Sequence, residues 1–292
     1  IGGTLTAFWI LVSNGFMQHP VGYEIVNGRA QMTDFGALLG NPRAIYLFLH
    51  TFFAGLVTAA FFMLGFSIYH LVRNHEVEAF RKSFYLSALI GLISSVAVGL
   101  AGHEQGVYLR EVQPMAAAAS EAHYETADPA DFHFIAGIDQ EGRRTTWTLT
   151  IPKALSFLYY FRFSGEVEGL NQLQAQYEDL YGPGNYIPNI PMAFWNFRIM
   201  VGVGTLMVLL TAGALFIHWK KYPDKWIKRS GWLVWIILLP YIGNTTGWIL
   251  TETGRQPWVV HGLMLTKDAV SPNLTPARSE EHTSELQSRI TI

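Results

Sequence analysis

The run Ala44-Ile45-Tyr46-Leu47-Phe48-Leu49-His50-Thr51-Phe52-Phe53-Ala54-Gly55-Leu56-Val57-Thr58-Ala59-Ala60-Phe61-Phe62-Met63-Leu64-Gly65-Phe66-Ser67-Ile68-Tyr69-His70-Leu71 holds no aspartate, glutamate, lysine or arginine. A helix needs about 20 apolar residues to cross a bilayer, and this run is longer. A soluble helix would show a polar face recurring about every 3.6 residues. Here almost none appears, so the run reads as a membrane span. Segments 83–101, 192–219 and 232–251 read the same way, and 5–17 reads as the last half of another span. The expected fold is therefore all-α: a polytopic transmembrane helix bundle of about four full spans and one partial span.

Composition agrees. Charged residues make up 14% of the 292-residue chain, against about 25% in soluble domains. A net charge of −2 offers no basic surplus to neutralise phosphates, which speaks against a nucleic-acid partner. Cysteine is absent, so disulfides, iron–sulfur clusters and thiolate zinc sites are excluded from this chain. The chain opens inside an apolar run with no charged segment ahead of it, so no signal peptide is read there. The start of that helix is expected to precede Ile1. Residues 277–292 resemble a translated sequencing adapter and are read as a non-native tail.

Orientation follows from basic residues in short loops. Arg73, Arg81 and Lys82 separate the first two full spans; Lys220, Lys221, Lys225, Lys228 and Arg229 separate the last two. Both loops should be cytoplasmic. The connection 102–190 should then lie outside as a partly folded loop. This divides the chain into 1–101 (one partial and two full spans), 102–190 (the outer loop), 191–276 (two spans and an outer segment) and the tail. Gly55, Gly91, Gly99, Gly202, Gly204 and Gly213 are expected to let helices approach closely. Trp219, Trp226 and Trp232 fit interfacial anchors.

Ionisable and ligating side chains within spans are functional candidates, because they are costly there. His50 falls roughly 10 Å below the outer surface at the helical rise. It is either a metal ligand or a histidine bonded to a neighbouring helix. Met200 lies about 14 Å deep by the same measure; it is either packing filler or a ligand at the level of His50. Arg198, beside it, needs an anionic partner, which haem propionates would supply. Glu252 ends the last span. It is either an exposed carboxylate or one compensated by a metal or by Arg255, since a carboxylate is disfavoured at a helix C-terminus.

Gly254-Arg255-Gln256-Pro257-Trp258 resembles the signature of cytochrome bd-type quinol oxidase subunit I. Trp9-Ile10-Leu11-Val12-Ser13-Asn14-Gly15-Phe16-Met17-Gln18-His19-Pro20, Leu49-His50-Thr51, Val112-Gln113-Pro114 and Phe197-Arg198-Ile199-Met200 match in order and spacing. The resemblance covers nearly all of 4–276. It implies a subunit of a respiratory terminal oxidase in the bacterial cytoplasmic membrane, with its long loop on the outer side. Such an enzyme oxidises quinol and reduces dioxygen to water.

The resemblance further implies low-spin haem b, high-spin haem b and haem d. His50 and Met200 would be axial ligands of the low-spin haem, with Arg198 stabilising it. Glu252 would ligate the high-spin haem, with Trp248 packed beside it, and Arg255, Gln256 and Trp258 would line the cofactor site. Glu121 would be the acidic residue of the quinol loop. Expected partners are quinol, dioxygen, membrane lipid, subunit II and a small single-helix subunit. The haem d ligand and the acids of the proton path belong to helices expected before Ile1, and a further helix after 276, so the chain alone should not turn over oxygen. The sequence departs from the family pattern at Ala116, where a lysine is common, and at His103, where an acid is common. Two other readings fit the polar residues: a membrane b-type cytochrome that only relays electrons, and a transporter or structural membrane subunit.

Overall fold

The computed structural model describes residues 2–220 and 231–269. The basic positions Lys221, Lys225, Lys228 and Arg229, the anchor Trp226 and the adapter-like tail 277–292 lie outside the described residues.

Helix α1 (Gly2–Gln18) leads into a small hairpin, β1 (Tyr23–Val26) with β2 (Arg29–Met32), and a short helix α2 (Phe35–Leu39). The long helix α3 (Pro42–Val72) begins where its sequence dictates. The Asn41 side chain accepts the Arg43 backbone N–H at 2.9 Å, and Pro42 opens the first turn, where its missing N–H costs nothing. Helix α4 (Val77–Val112) returns antiparallel and packs extensively on α3. It runs past residue 101, where the apolar segment ends, because the polar stretch that follows still forms helix. Pro114 stops it: proline disfavours helix at the residue before it, and Gln113 duly leaves the helical region.

The connection that follows is folded. Helix α5 (Pro114–Glu121), the bulged hairpin of β3 (Phe132–Asp139) and β4 (Arg144–Ile151), helix α6 (Ala154–Tyr160) and helix α7 (Leu170–Tyr181) occupy it in turn. Helix α8 (Ile190–Trp219) starts on an Asn189 cap that accepts the Met192 N–H at 3.0 Å. The last span differs from the continuous helix expected. Gly231–Leu238 is a 3-10 helix, and α9 (Leu239–Gly254) follows it. Pro240 stands in the first turn of α9, where a proline is tolerated; inside a longer helix it would remove a hydrogen bond and clash with the preceding turn. The chain then forms a second small hairpin, β5 (Trp258–Val260) with β6 (Met264–Leu265).

Among the described residues, four helical stretches are long and apolar enough to cross a membrane: Phe35–Val72, Val77–Val112, Ile190–Trp219 and Gly231–Gly254. One core lies within this bundle, around Val57, Phe61, Leu64, Phe84, Ala88, Met207, Ala214 and Ile236. A second lies under the folded connection and joins α5, α7 and α8 through Met115, Leu173, Tyr177, Phe194 and Trp258. The connection is thereby anchored to the helix ends that carry the candidate residues.

Among the described residues, Gly91 is the one glycine of the expected six that packs closely. Gly91 does abut a neighbour, with a Cβ there lying 2.9 Å from Thr211, but Gly55, Gly99, Gly202, Gly204 and Gly213 meet nothing within 4 Å. Glycines tighten a contact only where their own face meets a helix, and sequence alone does not show faces in an apolar run. The tight approaches fall elsewhere. A Cβ on Gly15 would lie 2.7 Å from that of Ala44, which locks α1 against α3.

Candidate functional site

The C-terminal ends of α1, α4 and α9 and the N-terminal ends of α3 and α8 meet at one end of the bundle. Hydrogen bonds from Arg43 and Gln113 to Gln18 and from Asn14 to Glu252 join α1, α3, α4 and α9 there, and Arg198 of α8 meets Glu121 at the end of α5. His50 lies two turns into α3 from that end. Its ring rests on Gly102 of α4, where a Cβ would lie 3.0 Å from the imidazole carbon Cε1, and its Nδ1 is buried with no hydrogen-bond partner. Met200 on α8 rests on Gly247 of α9, where a Cβ would lie 2.8 Å from the sulfur. Both candidate ligands therefore occupy notches made by glycines on facing helices. We expect Gly247→Val to displace Met200 and Gly102→Val to displace His50. Each would broaden or remove the signal of any metal held there, read by absorption spectroscopy of the complete complex.

Glu252, at the end of α9, is not a free terminal carboxylate. Asn14 Nδ2 donates to its Oε1 at 3.2 Å, and Arg255 donates to its Oε2. Arg255 also donates to the carbonyl of Val259 and is itself buried, so it compensates the carboxylate at the helix C-terminus. Trp248 is 51% exposed and holds no place in the core of this chain. Gln256 accepts the Thr266 hydroxyl at 2.7 Å. Trp258 is buried in an aromatic group, stacked on Tyr186 with ring centres 5.6 Å apart, beside Tyr181 and His261. A narrow cleft is lined there by Gln113, Ala116, Arg255, Gln256, Trp258 and His261.

Arg198 lies two residues before Met200, about half a turn toward the folded connection, and its anion within the chain is Glu121. Its Nη2 meets Glu121 Oε2 at 2.7 Å, with both side chains buried. Its Nη1 donates to the Ser120 carbonyl at 3.1 Å and its Nε to the His133 carbonyl at 3.0 Å. The rings of Phe194 and Phe132 flank the guanidinium at 4.3 and 4.4 Å. One residue of α8 thus ties down both the end of α5 and the first strand of the β3–β4 hairpin.

Two histidines outside the apolar spans, His123 buried and His261 half-buried, carry a pH dependence. His123 is pushed down from 6.5 to about 4, first by burial and then by the neighbouring His133. His261 is likewise lowered to about 4, by burial and then by His19. A histidine with a folded value below its unfolded one binds its proton more tightly when unfolded. The stability it lends is whole above pH 6.5 and is lost as pH falls toward 4. Thermal unfolding of the complex between pH 7 and pH 4 should show that decline, and His123→Gln with His261→Gln should flatten it.

Among the described residues, no group of three or more His, Cys, Asp or Glu side chains is arranged to hold a metal ion. A porphyrin-bound iron needs only one or two axial side chains from the protein. The family model for cytochrome bd terminal oxidase subunit I matches residues 1–280. This chain belongs to that family. Cytochrome bd ubiquinol oxidase subunit 1 of Bacillus subtilis (strain 168) is 46% identical over 277 residues, covering 94% of this chain and 59% of the relative. Cytochrome bd-II ubiquinol oxidase subunit 1 of Escherichia coli (strain K12) is 29% identical, over 92% of this chain and 64% of the relative. The bd oxidase structure from Geobacillus thermodenitrificans superposes with a TM-score of 0.82 at 27% identity, covering 99% of this chain and 64% of its own. The chain thus spans 59% to 64% of the length of these relatives. Membership of the cytochrome bd family, with its four apolar helices, makes this a bacterial membrane protein.

In the subunit I chain, His50, Met200, Arg198, Glu121, Glu252 and Arg255 all cluster toward one end of the bundle. His50 and Met200 lean on different helices, α4 and α9. Asn14, Gln18 and Gln113 stand in the matched motifs without a role assigned to them, and Arg43 stands in none. The signal that could have found them is a set of amides and a guanidinium placed at span ends, where a polar residue looks ordinary until its partners are known.

Proposed function

We propose that this chain forms the quinol-oxidising and haem b-binding part of a respiratory terminal oxidase that reduces dioxygen to water together with a second subunit. The observation that carries the reading is the His50 imidazole. It is half-buried in an apolar span, with its Nδ1 buried and unpartnered, in a chain of the cytochrome bd family. The residues present fit a haem: a neutral imidazole and a thioether, each in a glycine notch. His50 and Met200 would hold a low-spin haem b, Glu252 a high-spin haem b, and Trp248 would lie against the latter. When bound, the haems supply one-electron chemistry and pass electrons toward oxygen.

The chain's own residues do the rest. A His/Met pair favours a higher potential than His/His. Asn14 and Arg255 hold the two oxygens of Glu252. Glu121, fixed by Arg198, would accept a proton from a quinol hydroxyl at the outer loop. Ala116 lines the cleft beside Arg255 and Trp258 without the lysine common in relatives. Arg255, Gln256 and Trp258 would line the cofactor side of the same wall. Haem d would take its ligand from outside this chain. The loop 102–190 would lie on the outer side of the cytoplasmic membrane, and the chain would have lipid, subunit II and a small single-helix subunit as partners.

The test uses the complete oxidase. Glu252→Ala should remove one high-spin haem b signal and most quinol-dependent oxygen uptake, with the low-spin signal retained. Full oxygen uptake with every haem signal intact would remove Glu252 from the site. A complete oxidase without haem would refute the function.

A further inference from the structure

Arg43 is a cation only 2% exposed, in the first turn of α3, and no carboxylate is among its hydrogen-bond partners. Its Nε donates to Gln18 Oε1 at 2.7 Å, its Nη2 donates to the same oxygen, and its Nη1 has no partner. Gln18 Nε2 donates to Asn14 Oδ1 at 2.6 Å, and Asn14 Nδ2 donates to Glu252 Oε1 at 3.2 Å. The direction of this series is forced at both ends. A guanidinium has only donors and a carboxylate only acceptors. Each amide between them must therefore turn its oxygen toward Arg43 and its NH2 toward Glu252. Two amides thus link a buried cation on α3 to a carboxylate on α9 by way of α1.

Such a series is polarised along its length, and each bond strengthens the next. It also relieves the cost of an arginine taken out of water, which is several kcal/mol when nothing compensates the charge. The frame around it is stiff. Gln113 donates to the backbone carbonyl of Gln18, and Gly15 allows α1 to touch α3 at Ala44. On the far side, Arg255 takes the other oxygen of Glu252. The carboxylate is held from two directions and cannot rotate freely.

We propose that Arg43, acting through Gln18 and Asn14, is a positioning residue for Glu252. The consequence for a haem rests on the reading of Glu252 as its ligand, because partners behind a metal ligand fix its orientation and tune the metal.

The test uses the complete oxidase and follows the haem signal that Glu252→Ala removes. Arg43→Met should shift the midpoint potential and absorption of that haem while leaving the His50/Met200 signal in place. Arg43→Lys, which can still donate to Gln18, should recover part of the shift. Gln18→Glu gives Arg43 a direct partner and so protects assembly. The new carboxylate also draws the Asn14 amide away from Glu252, so the same signal should move. An unmoved signal in Gln18→Glu, or an equal shift of the low-spin haem in Arg43→Met, overturns the proposal. If Glu252→Ala removes no haem signal, the ligand reading fails by itself. The relay is then judged by the carboxylate infrared band that Glu252→Gln abolishes. Arg43→Met displaces that band if the relay holds and leaves it in place if it does not.

Discussion

In the complete oxidase, His50→Ala should abolish one low-spin haem b signal, whereas Met200→Leu should keep the haem and convert it to a high-spin form of lower potential. The two outcomes differ because the two ligands differ. Imidazole is the stronger ligand, and in this chain it has no competing bond at Nδ1. Its removal leaves a hole in an apolar helix and only the weaker Met200 thioether to hold iron. The Met200 thioether is weaker, and leucine keeps the volume that rests on Gly247. The fold should therefore survive Met200→Leu, since near-isosteric apolar exchanges usually cost under about 1.5 kcal/mol. Reduced-minus-oxidised spectra and a potentiometric titration of membranes read both. An unchanged spectrum in His50→Ala would remove His50 from the site; an unchanged one in Met200→Leu would remove only Met200.

The spans were legible in the sequence because lipid imposes one rule on a long stretch: every backbone group must be satisfied within the helix, and side chains must be apolar. The runs at 44–71 and 192–219 became α3 and α8 with ends displaced by about two residues. The far end of α4 was not legible, since hydropathy reports where lipid stops and not where the helix stops. The Gln113-Pro114 step marks that second boundary. Within the site, single side chains that lipid should forbid were readable: His50, Arg198 and Glu252. Of their partners, Arg255, three positions from Glu252, was readable; the distant ones were not. Asn14 meets Glu252 across 238 positions of sequence, and Arg198 meets Glu121 across 77. No periodicity links residues so far apart. A pair of opposite charges in an apolar setting could have suggested the Glu121–Arg198 contact, but only once α5 was known to end beside α8.

The second large effect belongs to that pair. Arg198→Ala should destabilise the folded connection between α4 and α8 by about 3–5 kcal/mol, the usual cost of leaving one member of a buried ion pair alone. With 9% and 5% of their side chains exposed, neither partner can turn to water for relief. Arg198 also holds the carbonyls of Ser120 and His133, so its loss frees both α5 and the β3–β4 hairpin. Glu121→Ala should cost less: the guanidinium keeps those two carbonyls and its aromatic neighbours Phe194 and Phe132. The double variant Glu121→Ala with Arg198→Ala should be more stable than the sum of the singles predicts, because it leaves no lone charge behind. Thermal unfolding of the solubilised complex measures all three. Additive losses would mean that the pair is not coupled. Activity separates structure from chemistry. If Glu121 only anchors the loop, Glu121→Gln, which retains an acceptor for Arg198, keeps quinol oxidation. If Glu121 takes the quinol proton, the same variant remains folded and loses turnover, and the argument for a quinol site at the junction of α5 and α8 then rests on a single carboxylate.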